Sequence, residues 1–257
     1  MRPAGPIFAA LLAGVAWGQA PAYTAAGIVK SSDYTLGPFA PNSVVTIFGS
    51  NLAFSTRSLE ESDIINNTVP AKLNGAGVTV YVDDWPAPLL YVSPTQVNFV
   101  VPGNHSAGDV PVRVVREGVS GPVAMVTLLD AAPALFAADG YAIATHGLGS
   151  LLTDTDPAGA GEIVVIYATG LGKSLPNPDP GVFPSAAAYL KWEATERIYL
   201  DGVPVDAIHV KYVGVTPFSA GLYQINLELP DNAGTDPEIR VEVAGQISSP
   251  GLRLLAR

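Results

Sequence analysis

Val44-Val45-Thr46-Ile47-Phe48-Gly49-Ser50-Asn51-Leu52 returns later in the chain as Ile163-Val164-Val165-Ile166-Tyr167-Ala168-Thr169-Gly170-Leu171. A second element follows each copy. Gln96-Val97-Asn98-Phe99-Val100-Val101-Pro102 is matched by Gln224-Ile225-Asn226-Leu227-Glu228-Leu229-Pro230. Self-similarity at this spacing means one structural unit used twice. The repeated pieces are short, β-branched and bounded by Gly, Pro and Asn, which is strand composition. Ile239-Arg240-Val241-Glu242-Val243 alternates apolar and charged residues, the pattern of an antiparallel sheet with one wet face. Helical periodicity is almost absent, so the expected fold is all-β, two tandem immunoglobulin-like β-sandwiches.

Aligning the copies places the units. Pro38–Ala53 aligns with Pro157–Gly172, and Tyr81-Val82-Asp83 with Tyr199-Leu200-Asp201. The Gln-x-Asn elements lie further apart, so the second copy carries about ten more residues, expected around His209 to Phe218. The reading gives a leader at 1–20, a first domain at 21–132 and a second at 133–257, joined at Ala131-Ala132-Pro133. So short a joint holds the domains as a pair rather than on a tether. Ser58-Leu59-Glu60-Glu61 offers a capping box for a short helix. Ser185 to Thr195 reads as an irregular connection.

Arg2 followed by the apolar run Ile7 to Trp17 and by Gly18-Gln19-Ala20 reads as an export signal. As a helix that run spans about 16 Å, short of a bilayer's hydrocarbon of roughly 30 Å. No membrane insertion is expected, and the chain is read as secreted, whether extracellular, periplasmic or on the cell surface. Without cysteine there is no disulfide or thiolate metal site. A formal net charge of −10 argues against nucleic acid as a partner.

APNSVVTIFGSNLA at 40–53, PAPLLYVSPTQVNFVVP at 86–102, APALFA at 132–137, GEIVVIYATGLG at 161–172 and GLYQINLELP at 221–230 carry a resemblance. They resemble secreted acidobacterial proteins. The second copy is similar to the uncharacterised C-terminal domain first described from Solibacter, and the first to its usual upstream partner. Both are similar to the IPT/TIG immunoglobulin-like group. The resemblance implies a β-sandwich fold and an extracellular setting, and it brings no catalytic residues.

Several motifs invite a chemical reading. Gly170-Leu171-Gly172-Lys173-Ser174 looks like the end of a phosphate-binding loop, but Tyr167 stands where that loop needs glycine. Pro176, Pro178, Pro180 and Pro184 then forbid the helix whose N-terminus would face the phosphates. A tight turn is expected instead. Gln96 with Asn98, and Gln224 with Asn226, each project from one strand face. Such amides can read glycan hydroxyls or pin a neighbouring loop; their recurrence favours a structural motif. Asp154, Asp156 and Glu162 are the candidates for calcium, and three carboxylates fall short of the six to eight oxygens it takes.

His105, His146 and His209 show no zinc or general-base spacing. No Gly-x-Ser-x-Gly elbow is present. The shared Asp83 and Asp201 are followed by turn residues, and turn chemistry explains them. Trp85, Trp192, Tyr212 and Phe218 are the aromatic candidates for ligand or interface contact; the alternative is that they cap the sandwich cores. The expected function is a non-enzymatic binding or structural module without cofactor, with a protein or glycan partner. The alternatives are a carbohydrate-binding module or weak glycan-active enzyme, and an accessory pair docking to a larger secreted protein.

Overall fold

A computed structural model describes residues 19–147, 149–192 and 195–257. The leader read over 1–20 therefore lies outside the described residues except for Gln19 and Ala20. The described chain is built almost wholly of antiparallel β-sheet. In the first half, one sheet orders the strands Ile28–Lys30, Val44–Phe48, Gln96–Val100, Leu89–Val92 and Arg57–Ser58. The facing sheet orders Trp85–Pro86, Val78–Val82, Gly108–Arg116 and Val119–Leu128. The second half repeats the plan. Ile163–Thr169, Tyr223–Glu228, Val210–Val215 and Ala188–Leu190 are successive neighbours in one sheet. Val203–Pro204, Arg197–Leu200, Ile239–Val243 and Gln246–Ile247 form the other.

Each half closes over its own apolar core. Val45, Ile47, Val80, Val97, Phe99, Val112 and Val114 meet in the first; Val164, Ile166, Ile198, Ile225, Leu227, Ile239 and Val241 meet in the second. The period-2 alternation of Val78–Val82 and Ile239–Val243 puts every second side chain there. Burying each Val, Ile, Leu or Phe contributes about 1.5–3 kcal/mol.

Register confirms that the halves are copies. Thr46 opposes Asn98 in the first, and Val165 opposes Asn226 in the second. The neighbouring strand bulges at the same place in both, with Tyr91 and Tyr212 opposite those asparagines. Two-residue hairpin turns also recur. Asp83 and Asp84 have φ of 46° and 63°, and Asp201 and Gly202 have 47° and 76°. Left-handed backbone at both central residues is the hairpin turn whose twist matches its strands.

The structure divides the extra residues of the second half differently from the sequence expectation. Tyr81 matches Tyr199, Leu89 matches Val210 and Asn98 matches Asn226, so three fall before the Val210–Val215 strand and seven between Tyr212 and Asn226, where they lengthen the hairpin strands and the loop between them. The three form the turn Ala207–His209, capped by Asp206 through the Ile208 amide at 3.1 Å. The expected helix after Ser58 is a single 3-10 turn, Glu61–Asp63, whose cap is Glu60. Arg57 bonds the Asp63 carboxylate at 3.0 Å, and Ile64 leaves the turn in extended backbone, so no second turn forms. The connection 185–195 includes a short strand, Ala188–Leu190, paired to Val210–Val215.

The halves are joined by much more than the linker. Ala132 donates to the Gly170 carbonyl at 2.8 Å. Gly170 and Gly172 have φ of 74° and 89°, and a Cβ on either would collide with the carbonyl oxygens of Ala132 or Asp130. Only glycine permits that approach. The phosphate-loop lookalike is the seat of the linker. Further along the seam, Thr169 Oγ1 accepts from the Val44 amide at 2.9 Å and donates to the Gly221 carbonyl at 2.8 Å. Asn42 Nδ2 donates to Asn177 Oδ1 at 2.9 Å, and Val69 N donates to the Gly181 carbonyl at 2.8 Å. Phe183 and Asn67 exchange bonds of 2.9 and 2.8 Å. The proline-rich segment of the second half thus forms an edge of the first.

Candidate functional site

The predicted site residues separate by burial. Trp85 stands at a hairpin tip and is 55% exposed. Nearby, Arg113 lies 3.7 Å from Asp84, with its guanidinium 4.8 Å from the Tyr81 ring centroid. Phe218, in the seven-residue loop, is 68% exposed, has φ of 60° and donates its backbone N–H to the Pro184 carbonyl at 2.8 Å. Trp192 is half-buried against the second core, with Lys191 Nζ 4.8 Å from its ring centroid. Tyr212 is buried, so it is withdrawn as a ligand contact. Its hydroxyl accepts from the Ala188 amide at 3.1 Å and lies 2.8 Å from the Val215 carbonyl, fastening the bulged strand to its neighbour.

The amide pairs bond along their own strands. Gln96 Nε2 donates to Asn98 Oδ1 at 2.9 Å, and Gln224 Nε2 to Asn226 Oδ1 at 3.0 Å. Thr46 adds a bond of 3.1 Å to Asn98. Among the described residues, these bonds run to side chains, not to the loop backbone expected as their partner.

At the proposed calcium position, Asp156 and Glu162 converge on a histidine. His146 Nδ1 bonds Glu162 Oε1, and Nε2 lies 3.1 Å from the Asp156 carbonyl and 3.5 Å from its carboxylate. Hydrogen bonding to Glu162 raises the imidazole above the ordinary histidine range. Burial acts to raise the Glu162 carboxyl, but the Gly159 amide and the His146 ring outweigh it and hold it low. Asp154 lends its backbone carbonyl to Arg257 at 2.7 Å. Among the described residues, no group of three or more His, Asp or Glu side chains is arranged to hold a metal ion.

Sequence reasoning missed a pocket in the second half. Leu200, Asp201, Val203, Asp206, His209, Pro230, Asn232 and Ala233 are among the residues lining a cavity of about 290 Å³. His209, from the three-residue turn that the first half lacks, forms part of its wall. Two acidic residues line it, and Asp201 and Asp206 each spend one oxygen on a backbone amide, of Glu238 and Ile208. His209 Nδ1 is buried without a hydrogen-bond partner, 3.8 Å from Glu228. Lys211 Nζ, at 2.6 Å from that carboxylate, holds Glu228 below its usual range. The signal in the sequence was the alignment itself, which sets Ala233 against His105.

Among solved structures, the chain is similar to SGBP-B of the mixed-linkage glucan utilization locus of Bacteroides ovatus, in complex with a mixed-linkage heptasaccharide. Identity is 13%, over 92% of this chain and 47% of that one, with a TM-score of 0.36. The surface glycan-binding protein PbSGBP-B from Prevotella bryantii matches at 13% identity, over 87% and 40%, with a TM-score of 0.28. The full extracellular region of plexin A4 matches at 16%, over 100% and 20%, with a TM-score of 0.31. This chain spans less than half the length of each. A comparison with curated proteins gives no match. Residues 29–128 match the IPT/TIG domain, an immunoglobulin-like fold.

Proposed function

We propose that this chain is a secreted, non-enzymatic binding module in which two immunoglobulin-like domains, 21–132 and 133–257, act as one rigid body. The leader-like sequence at 1–20 supports the extracellular setting. The observation that carries the reading is the seam. Thr169 bonds both halves at once, and Asn42, Asn67 and Val69 bond the proline-rich segment. A continuous seam of this kind fixes the spacing of loops on two sandwiches, which suits presentation to a partner. Solution X-ray scattering on the purified chain tests rigidity, and a profile that requires an ensemble of domain orientations refutes it. Immobilised protein probed with culture supernatant and a glycan array tests binding, and retention of neither class refutes that.

Trp85 favours glycan as the partner class. An exposed indole at a hairpin tip offers a flat apolar face for a sugar ring, with Asp84 and Arg113 alongside for hydroxyls. Array binding that survives Trp85→Ala removes this reading.

A further inference from the structure

We infer that the second-half pocket is a receptor for a small planar nitrogen cation, a guanidinium or imidazolium, and that the first half carries its own built-in occupant at the same place. In the first half His105 is buried, with Nδ1 3.2 Å from the Pro102 carbonyl and Nε2 3.1 Å from the Val82 carbonyl. A flat ring carrying nitrogens on two edges therefore sits between the hairpin strand and the turn after the Gln-x-Asn strand. The repeat maps Val82 to Leu200, Pro102 to Pro230 and His105 to Ala233. The turn is the same in both copies, since His105 N bonds Pro102 O at 3.4 Å and Ala233 N bonds Pro230 O at 3.0 Å.

All three mapped residues line the cavity. Replacing an imidazole by a methyl group vacates the ring's space while keeping the two carbonyls that received it. A carbonyl has two lone pairs, so Pro230 accepts from Ala233 and retains capacity for a second donor. Both carbonyls accept and neither donates, so the complementary ligand presents N–H groups from a plane.

Charge separates the pocket from its counterpart. Where Asp206 stands the first half has Pro88, and the added turn Ala207–His209 follows it. Asp201 and Asp206 each use only Oδ1 in their bonds to the Glu238 and Ile208 amides, and a second carboxylate oxygen on each selects a cation. Pro204, Pro230, Val203 and Val205 give apolar walls for the faces of a delocalised ion, which is more weakly hydrated than an ammonium.

The inference rests on the binding-module reading only in that no catalysis is asked of the pocket; its test is independent of Trp85 and of the glycan array. Two-dimensional amide NMR of the full chain is titrated with methylguanidinium, with imidazole at pH 6, and with tetramethylammonium as a cation lacking N–H. Saturable shifts are expected at Asp201–His209 and Asn232–Ala233 with the first two probes and not with the third. Asp206→Asn should weaken binding roughly tenfold, the loss of one charge-assisted bond. Ala233→His should fill the pocket and abolish the shifts, its own spectrum reporting that it folds. His105→Ala should vacate the groove of the first half and add shifts around Val82 and Pro102. Absence of saturable shifts, an equal response to tetramethylammonium, or binding undiminished in folded Ala233→His overturns the proposal. An arginine-containing peptide that binds at least tenfold tighter than methylguanidinium assigns the cation to a protein side chain; equal affinity assigns it to a free small molecule.

Discussion

Replacing Thr169 with valine isolates the energetics of the seam. The side chain is 1% exposed, and its hydroxyl links the Val44 amide of one half to the Gly221 carbonyl of the other. Valine keeps the shape and removes both bonds. The Val44 amide is buried and is left without its partner, at a cost of about 1–3 kcal/mol. Gly221 is half-buried, so water recovers part of its loss. The sum is about 2–3 kcal/mol, or roughly 4–12 °C in Tm for a chain of this size. Thr169→Ser retains the hydroxyl and loses one methyl, worth about 0.8 kcal/mol. Guanidinium unfolding followed by circular dichroism, with hydrogen exchange of amides in each half, reads both the loss and its location. In the parent protein the most protected amides of the two halves should share one unfolding free energy; in Thr169→Val they should separate. A change below about 0.5 kcal/mol, the scatter of an ordinary surface substitution, would refute the assignment of the seam to this hydroxyl.

Gly172→Ala should cost about 3 kcal/mol or more, combining left-handed backbone with a collision against Asp130, whereas Gly245→Ala, also at positive φ but in open space, should cost about 1–2 kcal/mol; calorimetry of both variants gives the comparison. Tyr223 is fully buried, burial pushes its phenol well up, and its hydroxyl bonds the Gly172 carbonyl. Tyr223→Phe should therefore destabilise by about 1–3 kcal/mol in denaturant, and a neutral result would place that carbonyl's satisfaction elsewhere. The His146 clasp has a defined pH window. The raised histidine contributes its stability fully below the unfolded value near 6.5 and loses it as pH rises through the folded one. The lowered Glu162 contributes above its unfolded value near 4.5 and loses it as pH falls through the folded one. Stability from the pair is greatest between those limits, so His146→Gln should flatten the decline of Tm from pH 6 to pH 8; an unchanged slope would refute the linkage.

Much of the fold was legible because a duplicated sequence reports its own constraints. The Gln-x-Asn strands and the twin aspartate turns recur because backbone geometry demands them in each copy. Single-copy features were harder. Ten extra residues read as one insertion are two, because offsets show only totals until the bulged strands opposite Asn98 and Asn226 are paired. Tyr212 looked available because it lay inside that supposed insertion; its counterpart Tyr91 marks it as framework. The pocket was illegible because it arises from a subtraction, Ala233 for His105, and side-chain periodicity is blind to what is missing. Asp63's role was hidden because a 3-10 turn carries the same capping pattern as the start of a longer helix.

The bonds between Asn67 and Phe183 also set a clock. Their partners are 116 residues apart in the chain. At synthesis rates of about 5–20 residues per second, the edge of the first sandwich waits roughly 6–23 s for the segment that completes it. Its local strands pair long before then, and closing so long a loop adds little entropic cost over a shorter one. The delay is one of supply, not of search. During that interval the nascent first half exposes the unpaired backbone around Val69, and whatever chaperone handles the chain meets it in that half-finished form.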